Sequence, residues 1–448
     1  MEISKLYGLY KSCNGLTTDS RSISEGIMFF ALKGDMFDGN DFAEKAIALG
    51  AKYAVVDRPS LSFCSQCIVV EDVLTTLQNL ARYHRSQYDI PVIAITGTNG
   101  KTTTKEFVSA VLSAKYNIVA THGNLNNHIG VPLTLFGINA STEIVVIEMG
   151  ASAQGEISFL TGIALPTFGL VTNVGKAHLL GFGSFDMVKK TKGELYDFIV
   201  GQSGTIFYNV DNPYLCEMIS SRPGVKSVKY GLDFQEALIL PVTVSAPYLR
   251  IDVPGYGEIS TNLIGSYNAD NILAALCVGN YFNVDAAAAV SAIEAYIPSN
   301  NRSQLVHTER NLLIVDAYNA NPTSMRASLK NFAETEFPSK TLILGDMLEL
   351  GSDSLEEHKS ILELIFSICS DTDPFVSGVL FFVGREFMKA ADDLQTKNRK
   401  GMDFVFSERF FDTSEELREY LKTNPLNCRS ILIKGSRGNK LEKVLEVL

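Results

Sequence analysis

The sequence predicts an α/β protein of three domains, each built on a mostly parallel sheet. The first observation behind this prediction is the length of 448 residues, which suggests two to four domains. The second is a series of short, continuously apolar runs separated by helical stretches, which is typical of parallel strands covered on both faces. The third is a glycine-rich loop at residues 97–103, which lies between such a run and a helical pattern.

The first domain is predicted at residues 1–88. Apolar runs at residues 26–33, 52–57 and 67–70 indicate short strands. A helical pattern over residues 73–87 leads into the next domain. We therefore expect a small α/β unit at the N-terminus.

The second domain is predicted at residues 89–305 and contains the glycine-rich loop. Its apolar runs indicate a mostly parallel sheet with helices on both faces. Residues 241–264 differ, because apolar and polar residues alternate there and turn residues are frequent. This pattern predicts antiparallel ribbons added to the edge of that sheet. Buried strands are expected at residues 91–96, 144–147, 169–172 and 204–208.

The third domain is predicted at residues 306–448 as a Rossmann-like, doubly wound α/β unit. Helical stretches separate its apolar runs, and no low-complexity linker interrupts the chain. Strands are expected at residues 312–315, 341–344, 379–383, 404–406 and 430–433.

Composition and charge restrict the class of protein. Hydrophobic residues make up 46% of the chain and charged residues 20%, as in soluble globular proteins, and no apolar run is long enough to span a bilayer. The net charge of −11 argues against a broad nucleic-acid surface. The N-terminus lacks the layout of a signal peptide, so we expect a cytoplasmic protein.

The seven cysteines are scattered and odd in number, which suits reduced thiols in a cytoplasm. Cys64 and Cys67 have the spacing of a zinc or redox motif. Because no second pair follows to complete a zinc site, we interpret both as structural thiols.

The glycine-rich loop is predicted to bind nucleotide phosphates. Glycines let the backbone approach phosphate oxygens, and the N-terminus of the following helix adds partial positive charge. Lys101 can neutralise the terminal phosphates, and the Thr102 hydroxyl can hold Mg²⁺. The general P-loop pattern has glycine where this chain has Ile95, so a glycine-rich strand-to-helix turn is the alternative. The expected phosphate-binding residues are Gly97, Thr98, Asn99, Gly100, Lys101, Thr102 and Thr103.

Polar residues at the ends of predicted strands are the next candidates, since ligands of open parallel sheets bind beyond the carboxyl ends of the strands. Glu148 ends one strand and can reach Mg²⁺; the alternative is a glutamate whose hydrogen bonds are satisfied within the fold. His178 follows another strand and could ligate a metal, although a loop histidine can equally be structural or exposed.

Three loops of the third domain follow predicted strands in the same way. Residues 316–322 contain one carboxylate and two amides, and residues 345–351 contain two carboxylates. Residues 434–438 form a compact cationic loop that suits a carboxylate or a phosphate. Each loop could simply be polar because it is exposed to solvent. Since all three loops follow strands of one sheet, however, we predict that they share a cleft.

These motifs together resemble the Mur ligase family of ATP-dependent amide-forming enzymes, which build peptidoglycan precursors. The resemblance covers nearly the whole chain, and the family's short phosphate loop accounts for Ile95. It rests on residues 95–103, the segments of Glu148 and His178, residues 266–271, the region of Arg302 and residues 434–437.

Two loops resemble one branch of the family, which joins D-alanyl-D-alanine to UDP-MurNAc-tripeptide; they are residues 316–325 and 345–351. Residues 17–21, 29–34 and 38–39 resemble the uridine-nucleotide domain shared by this branch and its tripeptide-forming sister. The sister's diaminopimelate-selecting Asn-Pro-Arg segment is absent. Folylpolyglutamate synthetases carry Ala-His-Asn-Pro where this chain has Tyr-Asn-Ala-Asn-Pro.

Two other functions stay open. A sister ligase that adds a single amino acid is the alternative within the enzyme class, ahead of a polyglutamylating ligase. A P-loop protein that uses ATP as a switch, with the third domain as an interaction module, is the alternative from a different class. The third residue of the tripeptide, lysine or diaminopimelate, cannot be deduced from these motifs.

The resemblance implies nucleotide and metal sites. Thr102 and Glu148 would serve one Mg²⁺, and His178 would serve a second. Lys192 stands where some members carry a carbamylated lysine that bridges to metal, which requires a neutral amine. Two neighbouring lysines make a solvated basic helix turn the alternative. The residues around adenine, ribose and γ-phosphate would be Asn268, Asn271, Arg302 and Asp316.

The resemblance also implies substrate sites and catalytic residues. Asn319 and Asn321 would line the junction with the incoming dipeptide, and Lys434 and Arg437 would face a substrate carboxylate. The residues implied for the uridine nucleotide are Asp19, Ser20, Arg21, Lys33, Gly34 and Asp38. The implied catalytic residues are Lys101, His178, Lys192, Arg302 and Asn319.

The implied reaction has two steps. The terminal carboxylate of the tripeptide attacks the γ-phosphate of ATP and forms an acyl phosphate, whose acyl carbon is then attacked by the amine of D-alanyl-D-alanine. Lys101, Mg²⁺ and Arg302 would offset the repulsion between the carboxylate and ATP. Because water would hydrolyse the acyl phosphate, we expect the domains to close over the site. The expected cofactors are ATP and Mg²⁺, and we expect a monomer with no nucleic-acid partner.

Overall fold

The protein is described here by a computed structural model, which places residues 1–177, 179–243, 245–298, 302–371, 379–397 and 407–448. Within these ranges, three mainly parallel sheets follow one another along the chain, accompanied by two small antiparallel ones. Helices cover the parallel sheets. The predicted α/β fold with three sheet-based domains is confirmed.

The N-terminal domain contains a parallel sheet of order β1-β2-β5-β6 and a β3–β4 hairpin. The strand predicted at residues 26–33 is shorter, because the chain leaves the sheet to form the hairpin. The elements are α1 (Ile3–Lys11), β1 (Leu16–Thr17), β2 (Met28–Phe30), β3 (Lys33–Gly34), β4 (Phe37–Asp38), α2 (Ala43–Ala48), β5 (Tyr53–Val56), β6 (Cys67–Val69) and α3 (Val73–Ser86).

The central domain contains a six-stranded sheet of order β12-β11-β10-β7-β9-β8, in which every ladder is parallel. Its strands are β7 (Val92–Thr96), β8 (Ile118–Ala120), β9 (Ile144–Glu148), β10 (Phe168–Val171), β11 (Thr205–Asn209) and β12 (Lys226–Tyr230). Its helices are α4 (Lys101–Ser113), α5 (Gly130–Leu135), α6 (Glu156–Ala164), α7 (Leu179–Phe182), α8 (Phe185–Gly201), α9 (Pro213–Ser220), α10 (Ala269–Tyr281) and α11 (Ala286–Ala295). One apolar core lies on each face of the sheet.

The turn-rich segment does not extend the edge of that sheet, so this prediction was wrong. Strands β13 (Leu238–Ile239), β14 (Arg250–Val253) and β15 (Gly257–Ser260) form a separate antiparallel sheet. Their alternating apolar residues Ile251, Val253 and Ile259 join the core that contains helices α4, α10 and α11. This small sheet therefore buries one face against these helices and does not pair with an edge strand of the six-stranded sheet.

The C-terminal domain contains a sheet of order β16-β17-β21-β18-β19-β20, in which only the β16–β17 ladder is antiparallel. The hydrogen-bonded sheet begins at Gln304. The strand predicted at residues 404–406 lies outside the described residues. The elements are β16 (Gln304–His307), β17 (Leu312–Asp316), α12 (Pro322–Glu334), β18 (Lys340–Gly345), α13 (Ser354–Asp371), β19 (Val379–Val383), α14 (Arg385–Lys397), β20 (Ser407–Phe411), α15 (Ser414–Thr423) and β21 (Ser430–Lys434).

Two further observations concern the described part of the chain. None of its helices combines the length and the apolar character that crossing a membrane requires. Among the cysteines whose side chains are described, Cys13, Cys64, Cys67, Cys216, Cys277 and Cys428 carry free thiols. Burial raises the pKa of the Cys67 thiol to about 12, which suits a structural thiol.

Candidate active site

A cavity of about 780 Å³ lies between the central and C-terminal domains. Its walls are formed by loops that follow strands of both sheets, as expected for ligand sites of open parallel sheets. The structure therefore brings together candidates that lie more than 300 residues apart in sequence. The predicted site residues that line it are Thr98, Asn99, Gly100, Lys101, Thr102, Thr103, Glu148, Asn268, Asn271, Arg302, Asp316, Asn319 and Lys434.

The glycine-rich loop at residues 97–103, called the phosphate loop below after its predicted role, connects β7 to α4 in a conformation that requires two glycines. Gly97 has φ +147° and Gly100 has φ +76°. A Cβ at Gly97 would lie 1.9 Å from the Thr172 hydroxyl oxygen, and one at Gly100 would lie 2.6 Å from Asn271 Oδ1. The loop is thus pressed against the neighbouring strand end and against α10, with no room for side chains at these positions.

Gly97→Ala is expected to destabilise the phosphate loop. The added Cβ must displace Thr172 and impose a left-handed conformation on alanine, so we expect a cost of about 1–3 kcal/mol. The protein should unfold at a lower temperature, and its ATP binding should weaken. Gly162→Ala in α6 is the matched control, since its surroundings are open; an unchanged Gly97→Ala protein would contradict the tight packing of the loop.

Lys101 begins α4 and folds back over the loop. Its ammonium donates hydrogen bonds to Gly97 O at 2.8 Å and Thr98 O at 3.0 Å. Burial lowers the pKa of Lys101; Glu148 acts in the opposite direction and the positive charge of Arg302 lowers it further. A cation held within the loop in this way suits an anionic ligand.

Thr102 and Glu148 form an oxygen-rich pair beside the loop. The Thr102 hydroxyl donates to Glu148 Oε2 at 2.8 Å, and the Asn126 amide donates to Glu148 Oε1 at 2.7 Å. Glu148 is only 1% exposed. Carboxylate and hydroxyl oxygens are ligands that Mg²⁺ accepts, so the donor set fits this ion.

His178 is the histidine that was predicted to bind a metal ion. Across the described residues, no group of three or more histidine, cysteine, aspartate or glutamate side chains could hold a metal ion. His178 lies outside the described residues. A cation near Thr102 and Glu148 would therefore need further oxygen donors from the substrates or from a modified side chain.

Lys192 on α8 is buried, with only 2% of its surface exposed, and does not form a solvated basic turn. Its ammonium lies 5.7 Å from the centre of the Phe182 ring. Burial, followed by the positive charge of Lys101, lowers the pKa of Lys192 to about 7. By contrast, Lys189 pairs with Glu217 at 2.9 Å on the surface.

The two asparagines predicted near the nucleotide form one hydrogen-bonded chain. The Thr104 hydroxyl donates to Asn271 Oδ1 at 2.9 Å, and the Asn271 amide donates to Asn268 Oδ1 at 2.9 Å. The Asn268 amide donates to Ile264 O at 2.8 Å. Both asparagine side chains are therefore fixed at the start of α10, behind the phosphate loop.

The buried Lys434 and the partly buried Asp316 form an ion pair at the ends of neighbouring strands β17 and β21. The Ser328 hydroxyl also donates to Asp316 Oδ2, at 3.1 Å. Asp316 was predicted near the nucleotide and Lys434 near a substrate carboxylate. A carboxylate ligand at Lys434 would have to compete with Asp316.

The phosphate loop also contacts the C-terminal domain directly. The Asn321 amide donates to Asn99 Oδ1 at 2.7 Å, and the Asn99 amide donates back to Asn321 Oδ1 at 3.5 Å. Asn321 also begins α12 by accepting a hydrogen bond from the backbone of Ser324. A second contact pairs Lys176 with Glu357 at 2.7 Å. The two domains thus meet around the cavity.

The predicted uridine-nucleotide residues lie in the N-terminal domain, away from the cavity lining. Arg21 is exposed and donates two hydrogen bonds to Asp19, lowering the pKa of Asp19 to about 2. Lys33 pairs with Asp57 at 2.9 Å. The remaining predicted substrate residues outside the lining are Ser20, Gly34, Asp38, Asn321 and Arg437.

Sequence reasoning did not single out Asn126 and Tyr318, which line the cavity and contact predicted site residues. Asn126 fixes the carboxylate of Glu148, and the asparagine-rich run after β8 was the signal that could have identified it. Tyr318 lies in the predicted loop after β17. Its stacking against Arg302 depends on the tertiary structure, so the sequence carries no signal for this contact.

Three family models match the chain in consecutive parts. Residues 12–86 match "Mur ligase family, catalytic domain", and residues 95–279 match "Mur ligase middle domain". Residues 301–437 match "Mur ligase, glutamate ligase domain". With relatives of 33% identity along nearly its whole length, the chain belongs to the Mur ligase family, and the resemblance stated from the motifs is confirmed.

Two of these relatives are named UDP-N-acetylmuramoyl-tripeptide–D-alanyl-D-alanine ligase. The protein from Bacillus subtilis (strain 168) is 33% identical over 440 residues, covering 97% of this chain and 93% of the relative. The protein from Escherichia coli (strain K12) is 33% identical over 457 residues, covering 99% and 95%.

Solved structures give the same likeness. A crystal structure of MurF from Acinetobacter baumannii matches with a TM-score of 0.81 and 27% identity, covering 99% of this chain and 97% of that one. The MurF ligase from Thermotoga maritima in complex with ADP matches with a TM-score of 0.80 and 25% identity, covering 98% and 97%.

Proposed function

We propose that this chain is the ATP-dependent ligase that joins D-alanyl-D-alanine to UDP-MurNAc-tripeptide, giving UDP-MurNAc-pentapeptide for peptidoglycan synthesis. The observation that carries the proposal is the phosphate loop facing the 316–322 loop across one cavity, with Asn99 bonded to Asn321. Full-length relatives that bear this ligase name support it. The ADP in the Thermotoga maritima structure supports the use of ATP.

The first step brings a carboxylate against the polyanionic phosphates of ATP. A carboxylate oxygen of the tripeptide bonds to the γ-phosphorus, and ADP leaves. Lys101 and Arg302 supply the positive charge that offsets this repulsion. Residues 97–103 hold the phosphates through backbone N–H groups, and Asn268, Asn271 and Asp316 surround the rest of the nucleotide.

The second step forms the amide. The neutral amine of the dipeptide attacks the acyl carbon, and the C–O bond to phosphate breaks after a tetrahedral intermediate. Asn319 and Asn321 stand at the junction of the two domains, where they orient the dipeptide. Lys434 and Arg437 provide charge for its carboxylate.

Magnesium fits the oxygen donors of this site. Thr102 and Glu148 would hold one ion, and His178 and a carbamylated Lys192 are proposed for a second. An ion bound there would draw charge from the phosphate oxygens and favour attack on phosphorus.

The same proposal covers the roles of the three domains, the location of the protein and its oligomeric state. Residues 1–88 form the uridine-nucleotide domain, with Asp19, Ser20, Arg21, Lys33, Gly34 and Asp38 as its substrate contacts. Residues 89–305 form the ATP-binding domain and residues 306–448 the ligase domain. We place the protein in the cytoplasm as a monomer.

Phosphate release from ATP tests this function. We expect release only when UDP-MurNAc-tripeptide and D-alanyl-D-alanine are both present, with lysine and diaminopimelate tripeptides assayed side by side to identify the preferred one. Release with a single amino acid on a shorter precursor would indicate a sister ligase. Slow release regardless of substrates would indicate an ATP switch.

A further inference from the structure

Tyr318 lies against the guanidinium group of Arg302 in the wall of the cavity. The central guanidinium carbon is 3.7 Å from the centre of the Tyr318 ring, which is van der Waals contact with the ring face. Tyr318 follows β17, whereas Arg302 precedes β16, so the contact joins two loops. Both residues are half-buried and line the same cavity.

This contact holds the cation without using its hydrogen-bond donors. The five N–H donors of arginine lie in the guanidinium plane, so a ring stacked on the face occupies none of them. Within the described ranges, Arg302 forms no hydrogen bond or ion pair, and its buried Nε lacks a partner. The donors of Arg302 are thus oriented but unused, and they point to a ligand with several acceptors.

The charges nearby define that ligand. The positive charge of Arg302 acts on Lys101, which places the two cations near each other on the cavity wall. Lys434 also lines the cavity, but it is already paired with Asp316. Among the lysines and arginines that line the cavity in the described ranges, Arg302 and Lys101 therefore remain for a polyphosphate.

We propose that Tyr318 is a positioning residue that holds Arg302 flat so that its N–H donors face the phosphates of the bound nucleotide. The inference rests on the proposed function, in which Arg302 contacts the γ-phosphate. The ring is the acting part, because the Tyr318 hydroxyl forms no hydrogen bond to any residue in the described ranges. Arg437 also approaches this ring, at 5.7 Å, near the outer limit of a cation–π contact.

Substitutions at Tyr318 separate the ring from the hydroxyl. Tyr318→Phe keeps the ring and should leave kcat/KM for ATP unchanged. Tyr318→Leu removes the π face and should lower kcat/KM for ATP and weaken ATP binding by about tenfold, the effect of losing one desolvated cation–π contact. If Tyr318→Leu does not fold, Tyr318→Met replaces it.

A double-mutant cycle tests whether Tyr318 acts through Arg302. In an Arg302→Gln background, Tyr318→Leu should have little further effect on kcat/KM or on the ATP dissociation constant measured by calorimetry. In an Arg437→Gln background its full effect should persist. A loss in Tyr318→Phe equal to that in Tyr318→Leu, or a full effect of Tyr318→Leu without Arg302, would overturn the proposal.

The readouts distinguish failure of this inference from failure of the proposed function. If the wild-type protein releases no phosphate with both ligase substrates, the proposed function fails, but the ATP dissociation constants of the variants still test Tyr318. If the wild-type protein is an active ligase and the cycle shows no coupling, the inference alone fails.

Discussion

Lys101→Ala is expected to reduce phosphate release by about 10³-fold or more while leaving the protein folded. Within the described ranges, the Lys101 ammonium donates hydrogen bonds to two loop carbonyls and forms no ion pair, so its removal leaves no described buried carboxylate without a hydrogen-bond partner. What is lost is the cation that offsets the charge of the attacking carboxylate and the terminal phosphates. The assay is phosphate release with both ligase substrates, accompanied by thermal unfolding.

Lys115→Ala is the control for this variant. It removes the same charge just beyond the other end of α4, where the ammonium donates to Asn283 O on the surface. Turnover should be unchanged. Near-normal turnover in Lys101→Ala would contradict the assignment of the phosphate loop.

Lys192→Ala is expected to lower turnover by about 10²-fold, the size of effect seen when a metal-supporting group is lost. The buried amine has its pKa lowered to about 7, so near neutral pH a large fraction lacks a proton. A neutral amine can take up CO₂ as a carbamate, which would add two oxygen donors for the second metal ion of the proposed function. Lys190→Ala, an exposed lysine on the same helix, should be fully active.

The pH dependence follows from the direction of this shift. The neutral fraction of Lys192 falls from about nine tenths at pH 8 to about one tenth at pH 6. Turnover in bicarbonate-depleted buffer should therefore fall as the pH drops through 7, and added bicarbonate should restore it. Activity that does not respond to bicarbonate, or an active Lys192→Ala protein, would contradict a carbamate at this position.

The features that could be predicted from sequence depend on local pattern. Continuous apolar runs predicted the parallel strands, and the glycine-rich pattern predicted a loop between a strand and a helix, which the structure places in the cavity wall. The burial of Lys192 was also predictable, because Val188, Lys192, Leu195 and Ile199 recur at helical spacing and share one buried face.

The features that sequence did not predict depend on contacts between distant segments. The alternation near residue 251 predicted an antiparallel sheet but not its partner, since the same pattern suits a sheet edge or a layer of helices. Likewise, Asp316 and Lys434 are 118 residues apart in the chain and become neighbours only through the β17–β21 register. Tyr318 and Arg302 meet through loop conformation, which carries no periodic signal.

The mass of the reaction product tests the central claim most directly. The protein would be incubated with ATP, UDP-MurNAc-tripeptide, UDP-MurNAc-L-Ala-D-Glu, D-alanyl-D-alanine and a mixture of single amino acids. The masses of the uridine-containing products would then be measured by mass spectrometry. We predict one product, the tripeptide precursor extended by one dipeptide with loss of one water. A product extended by a single amino acid, or ATP consumption without any extended precursor, would contradict this assignment.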